Sequence, residues 1–158
     1  METKHHIITE AHISDCEEIL ALQKICYLQE AAIYNDYSIQ PLTQTIEEAK
    51  KEFMKCIFLK CVREGLIIGS IRAFEEDNIC RIGKLIVHPD FQNNGIGREL
   101  MNHIENCFSN SEKFELFTGS ESSKNISLYQ KLGYSIFKKE KHNAAVELMF
   151  LEKINRRL

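Results

Sequence analysis

Lys84-Leu85-Ile86-Val87-His88-Pro89-Asp90-Phe91-Gln92-Asn93-Asn94-Gly95-Ile96-Gly97-Arg98 is the stretch on which the fold turns. An apolar run ends before Pro89, a polar loop carries two glycines, and Ile96, Leu100, Met101, Ile104 and Phe108 then recur at helical spacing. The first turn of a helix leaves backbone N–H groups without partners and carries partial positive charge, so a phosphate can be held there. Glycines at 95 and 97 leave that approach free of side chains. A lone G-x-G fits a plain helix-start turn equally well. Two stronger phosphate-binding patterns fail: a dinucleotide fingerprint needs glycine where Leu100 stands, and a P-loop needs Gly-Lys-Ser/Thr after four intervening residues.

Upstream, residues 57–63, 66–74 and 79–88 are rich in β-branched and aromatic side chains. Glu64-Gly65 and Asp77-Asn78 stand between them as tight turns, which only antiparallel neighbours can use. Further back, residues 6–9 alternate, and Ser14-Asp15-Cys16-Glu17 has the S-x-x-E pattern of a helix start. Cys16, Ile19, Leu20, Leu22, Ile25 and Cys26 give that helix one apolar stripe. The pattern fails at Tyr34-Asn35-Asp36-Tyr37-Ser38, and Pro41 is expected to end any continuation, leaving a polar, tyrosine-bearing loop. Thr45-Ile46-Glu47-Glu48 is a second capping box, opening a short charged helix to about Lys55. Downstream come a strand at 114–118, a helix at 123–132 stopped by Gly133, and a final hairpin of 134–139 and 145–151. The predicted order is β-α-α-β-β-β-α-β-α-β-β, an α+β fold of about seven strands and four helices in one domain over residues 1–158.

Composition narrows the function. Of 158 residues 44% are apolar, enough for a core without disulfide or metal staples. A net charge of -3, from 20 Lys+Arg against 23 Asp+Glu, argues against a nucleic-acid binder. No apolar run exceeds four residues, so no membrane span is expected, and the first residues have no signal-peptide pattern; the chain reads as cytoplasmic. Cys16, Cys26, Cys56, Cys61, Cys80 and Cys107 lack C-x-x-C spacing and read as reduced thiols filling core faces. No His pair has metal-ligand spacing, so no metal is expected; His5, His6 and His142 read as surface residues, and the short basic runs as solvated faces.

The loop resembles the signature of the GCN5-related N-acetyltransferase (GNAT) family, a strand followed by Gln/Arg-x-x-Gly-x-Gly/Ala, with Gln92, Gly95 and Gly97 at the fixed positions. Leu85-Ile86-Val87-His88-Pro89 resembles the family's L-x-V-x-P strand end, and Asn125 to Tyr134 resembles its N-x-x-x-x-Y-x-x-x-G-F/Y segment. The resemblance implies a mixed, mostly antiparallel central sheet with acetyl-CoA as acyl donor. By that likeness the amides of Asn93, Asn94, Gly95, Ile96, Gly97 and Arg98 would cradle the pyrophosphate, with Gln92 opening the loop. The backbone of Leu85, Ile86 and Val87 would pair with pantetheine where the strand parts from the next one. The Val87 N–H would polarise the thioester carbonyl, Asn125 would contact the cofactor through its amide, and Tyr129 would protonate the departing thiolate.

The resemblance fixes no general base. Glu30, Glu75, Glu76, Glu121, His88 and a water chain to solvent stay open for that role. The acceptor is expected at the loop from Tyr34 to Thr45, whose Tyr34, Tyr37, Gln40 and Gln44 suit a small-molecule or peptide amine. A homodimer is left open. With no Cys-His or Ser-His arrangement in view, direct attack of the amine in a ternary complex is expected. A non-catalytic acyl-CoA sensor is the alternative from another class.

Overall fold

Turn chemistry sets the sheet. The computed structural model describes residues 5–157. In it φ is 51° at Glu64, 79° at Gly65, 55° at Asp77 and 64° at Asn78, so both expected hairpins turn through two left-handed residues, matching strand twist. The elements are β1 (His6–Glu10), α1 (Cys16–Tyr34), α2 (Gln40–Thr43), α3 (Ile46–Lys55), β2 (Ile57–Arg63), β3 (Leu66–Glu76), β4 (Ile79–Val87), α4 (Ile96–Cys107), β5 (Lys113–Gly119), α5 (Ser123–Lys131), β6 (Ser135–Lys141) and β7 (Glu147–Ile154). They form a seven-stranded sheet in the order β1-β2-β3-β4-β5-β7-β6. Every neighbouring pair is antiparallel except β4 and β5. The α+β, mostly antiparallel architecture expected from the sequence is present, with five helices where four were expected.

Two local expectations fail for identifiable reasons. Ser14 does not cap α1, because it sits inside a 3₁₀ turn over Ile13–Asp15 where Asp15 Oδ2 accepts the His12 N–H at 2.9 Å. The first helix ends at Tyr34, as expected, but the segment to Thr45 is not all loop: it holds α2, with Pro41 in the first turn, where its missing N–H costs nothing. The second capping box forms as read: Glu48 Oε1 accepts the Thr45 N–H at 3.0 Å, and Thr45 Oγ1 accepts the Glu48 N–H at 3.2 Å.

The helices make two layers. Ile19, Leu22 and Cys26 of α1, with Phe53 of α3, pack on Phe58, Ile67 and Ile86 of the sheet. On the opposite face Ile96, Leu100, Met101 and Ile104 of α4 and Tyr129 of α5 pack on Leu59, Ile71, Ala73, Cys80, Phe114 and Leu151. Gly69 seats α4 against β3: a Cβ there would stand 3.2 Å from both the Ile86 carbonyl oxygen and Leu100 Cδ1. The start of α4 is thereby fixed beside the end of β4. Four of the six cysteines are buried; Cys56 is half-buried and Cys107 is exposed. No helix among the described residues is long and apolar enough to cross a membrane.

One buried ion pair locks α4 to β7. Glu105, 2% exposed, accepts Lys153 Nζ at 2.9 Å and the Tyr134 hydroxyl at 2.8 Å. Lys153→Met leaves that carboxylate buried without its counter-charge, so it should destabilise the protein by about 3 kcal/mol. The melting temperature should fall by roughly 6–12 °C, and Glu105→Leu in the same chain should recover most of it. Unchanged melting of Lys153→Met would show that the pair holds nothing.

Candidate active site

The site begins where the sheet comes apart. β4 and β5 pair in parallel only at Ile79↔Lys113, Cys80↔Phe114 and Arg81↔Glu115, and beyond those positions they diverge. A bulge on the other edge of β4 contributes: Lys84 and Leu85 stand against Ile71 alone, and Lys84 has φ 43°, a left-handed conformation rare for a non-glycine residue. The His88 N–H donates to the Ile68 carbonyl at 2.8 Å, and Ser70 faces Ile86. By antiparallel alternation, Ile86 therefore turns its polar backbone toward β3, while Leu85 and Val87 turn theirs into the gap. Of the three positions expected to pair with pantetheine, two are geometrically free to do so. The Val87 carbonyl accepts from Gln92 Nε2 at 3.0 Å and from the Cys26 thiol at 3.3 Å. That leaves the Val87 N–H as the donor facing the opening.

The glycine loop leads directly into α4. Gly95, the residue before the helix, has φ 81°, and no side chain caps the helix start. The N–H groups of Ile96, Gly97 and Arg98 thus lie ahead of the first intrahelical bond, made by Glu99 to the Gly95 carbonyl at 3.0 Å. A Cβ at Gly95 would meet no atom within 4 Å, so the space over the loop is open. These features fit a pyrophosphate. Gln92 and Asn94 turn inward instead: Gln92 ties the loop to Gln29 and Val87, and Asn94 Nδ2 donates to the Phe91 carbonyl at 3.1 Å. They shape the cradle.

Tyr129, 7% exposed, belongs to the core cluster against which Leu85 and Val87 pack. Its hydroxyl has no protein hydrogen-bond partner among the described residues. Burial raises its pKa above the usual tyrosine range, and Tyr27 and Glu30 raise it further. Tyr27 is raised as well, chiefly by burial. Glu30 is held in a network: Ser122 Oγ donates to it at 2.5 Å, Asn125 Nδ2 at 3.1 Å, and the Tyr34 hydroxyl stands 2.9 Å from Ser122 Oγ. Asn125 Nδ2 also lies 3.3 Å from Thr118 Oγ1. Its amide nitrogen is thus engaged by the protein, and its oxygen remains for a ligand. Gly119 makes room for this arrangement, since a Cβ there would fall 1.9 Å from the Tyr34 hydroxyl.

The candidate bases separate cleanly. Glu75 bonds Ser111 and Glu76 pairs with Arg81 at the Asp77-Asn78 end of the sheet, roughly 25 Å along β4 from Val87. His88 Nδ1 accepts the Asp90 N–H at 3.1 Å, and Glu121 is exposed, donating its backbone N–H to Tyr34. Glu30 alone of the five adjoins Tyr129. Of the loop residues expected to meet an acceptor, Tyr34 belongs to this network, Tyr37 and Gln40 are exposed, and Gln44 is buried on Gln23.

Sequence reasoning missed Tyr27 and a polar cluster beside it. Arg72, 3% exposed, donates to Gln23 at 2.8 Å and to Glu52 at 3.2 Å, and Lys84 donates to the same Glu52 oxygen at 3.3 Å. Gln44 donates to that oxygen too. One readable signal was available, because the buried alternation shifts phase from Cys80 and Ile82 to Leu85 and Val87, as a bulge requires. Among the described residues no three His, Cys, Asp or Glu side chains are gathered to hold a metal ion.

Comparison with known proteins places the fold in a family. The acetyltransferase (GNAT) domain model matches residues 55–136. UPF0157 protein YqkA of Bacillus subtilis (strain 168) is 30% identical over 117 residues, 74% of this chain but 34% of that protein, so the chain spans about a third of that curated relative. PaiA N-acetyltransferase from Thermoplasma acidophilum, solved in complex with coenzyme A, matches with a TM-score of 0.79 at 18% identity, covering 94% of this chain and 98% of that one. YncA from Salmonella typhimurium, solved with its cofactor acetyl-CoA, matches with a TM-score of 0.76 at 16% identity, covering 96% and 95%. These structures share the fold, and the domain match spans just over half of the 158 residues. The chain belongs to the GNAT acetyltransferase family.

Proposed function

We propose that this chain transfers acetyl from acetyl-CoA to a primary amine by direct attack within a ternary complex. The observation that carries the reading is the juxtaposition at the gap. The Val87 N–H faces the opening, the unpaired amides of α4 follow in the same segment, and Tyr129 belongs to the core cluster against which Leu85 and Val87 pack. Binding of coenzyme A and acetyl-CoA by relatives of the same fold supports the choice of donor.

In the proposed reaction the amides of Ile96, Gly97 and Arg98 bind the pyrophosphate, and Leu85 and Val87 pair with the pantetheine arm. The Val87 N–H stabilises the oxyanion formed when the amine nitrogen attacks the thioester carbon. The C–N bond forms, the C–S bond breaks, and the thiolate takes its proton from Tyr129. The amine gives up one proton, which Glu30, adjacent to Tyr129, is positioned to accept. No protein nucleophile is required: Cys26 faces Val87, yet burial pushes its thiol up to about 12, so it is not a thiolate at neutral pH.

The test is thiol release from acetyl-CoA with polyamines, amino acids, aminoglycosides and peptide N-termini as acceptors. Release dependent on an amine is expected. Tight acetyl-CoA binding without release across the whole panel would make the chain a sensor. An acetylated cysteine on the turnover pathway would overturn direct transfer.

A further inference from the structure

The wall of the gap on the α1–α3 side has an unusual charge balance. Arg72, Lys84 and Gln44 all donate to one oxygen of Glu52, so two cations share one carboxylate. The Arg72 Nε is buried without a partner. Lys84, its side chain 17% exposed, is aimed there by the left-handed bulge, a conformation disfavoured for a side chain larger than glycine. Strain held next to a reactive gap points to use.

The facing wall is aromatic. Phe117 of β5 is 57% exposed, and its ring lies 5.4 Å from Phe150 of β7, which in turn contacts Phe137. Phe117 is on the α1 side of the sheet, because Gly119, two residues on, faces Tyr34. Were the β4–β5 pairing to continue past Arg81↔Glu115, Gly83 would stand opposite Phe117. Gly83 has no side chain, and a Cβ there would be 4.0 Å from its nearest neighbour, Arg72 Cγ. The floor between cations and rings is therefore bare. At the outer end the Asp36 carboxylate accepts the Ser38 N–H at 3.0 Å and its hydroxyl at 2.6 Å.

We infer that the acceptor is a small amine carrying both a carboxylate and an aromatic or bulky apolar group, its carboxylate against Lys84 and its apolar group over Phe117. This deepens the acetyltransferase reading and rests on it. Lys84 lies three residues before Val87, roughly 10 Å along the strand, a span that a lysine stem and an α-amino acid's own carboxylate together cover. The ring fills the space over Gly83, and the amine is left pointing at the thioester carbon. The products are an N-acetylated amino carboxylate and free coenzyme A, with one proton leaving the nitrogen and one reaching the sulfur.

The experiment compares kcat/KM for L-phenylalanine, L-alanine and phenethylamine with acetyl-CoA held saturating, with spermidine and a tripeptide as outside acceptors. Phenylalanine should exceed alanine, which lacks the ring, and phenethylamine, which lacks the carboxylate. In Lys84→Met the preference for phenylalanine over phenethylamine should fall about 10- to 100-fold, mostly through KM, the loss expected for a hydrogen bond to a charged group. In Phe117→Ala the preference for phenylalanine over alanine should fall instead. Each ratio is taken within one variant, so partial loss of folded protein cancels. Turnover of spermidine or the tripeptide with phenylalanine inert would overturn this inference and leave the acetyltransferase reading standing. An unchanged phenylalanine-to-phenethylamine ratio in Lys84→Met would also overturn it, and no release from any amine would remove both.

Discussion

Tyr129→Phe should lower the single-turnover rate of acetyl transfer about 10²- to 10⁴-fold while leaving acetyl-CoA affinity nearly unchanged, the range of general acid catalysis. The ring stays, so the packing of Tyr129 against Tyr134, with centroids 6.2 Å apart, survives. What goes is a hydroxyl with no protein partner. The raised pKa of this phenol presents an apparent difficulty, since a weaker acid should not protonate a thiolate whose ordinary pKa is about 8.5. Burial answers it. The same low-dielectric surroundings push the neighbouring Cys26 thiol up to about 12, and a thiolate released beside Val87 meets the same penalty. Donor and acceptor therefore shift together, and the phenol stays protonated throughout the neutral range, ready to donate as the C–S bond lengthens. Rapid-quench measurement with bound acetyl-CoA isolates the chemical step from product release. An unaltered single-turnover rate would remove Tyr129 from the reaction and leave solvent as the proton source.

What was legible in the sequence was what local chemistry decides. The meander of β2, β3 and β4 was readable because Gly65, Asp77 and Asn78 tolerate left-handed backbone. The start of α3 was readable because Thr45 and Glu48 sit three residues apart and bond each other. The helix starts at Cys16, inside the expected Ser14–Glu17 box, but the cap differs because Asp15 closes the turn one step earlier, on His12. In the site, the glycine loop and Tyr129 announced themselves through spacing within one segment. The Arg72, Lys84 and Glu52 cluster did not, since its members come from β3, β4 and α3. In sequence, Arg72 and Lys84 look like ordinary solvent-facing charges on strands. Arg72 is buried and Lys84 half-buried because α1, α2 and α3 fold over that face, and a long-range contact of that kind leaves no local period to read.

Gly95→Val should weaken acetyl-CoA binding at least about 100-fold, the loss of two or more charge-assisted hydrogen bonds at roughly 1.5–3 kcal/mol each. The sequence suggests that a side chain here would crowd the phosphates, and the structure adds a second reason. With φ at 81° the residue is left-handed, a genuine outlier for a β-branched side chain. Valine must therefore either hold that strain or rotate the peptide, and rotation turns the Ile96 and Gly97 amides off the pyrophosphate. No protein atom lies within 4 Å of a Cβ at this position, so the fold itself offers no steric objection. Gly65 supplies a matched control: its φ is 79° and its Cβ would also meet nothing, but it sits in the β2–β3 turn, outside the phosphate loop. Gly65→Val should lose a similar amount of stability to backbone strain and keep its affinity. Calorimetry on both folded variants distinguishes the two contributions. Wild-type affinity in Gly95→Val would mean that the amides at the start of α4 do not hold the pyrophosphate, and equal loss in both variants would assign the effect to general strain.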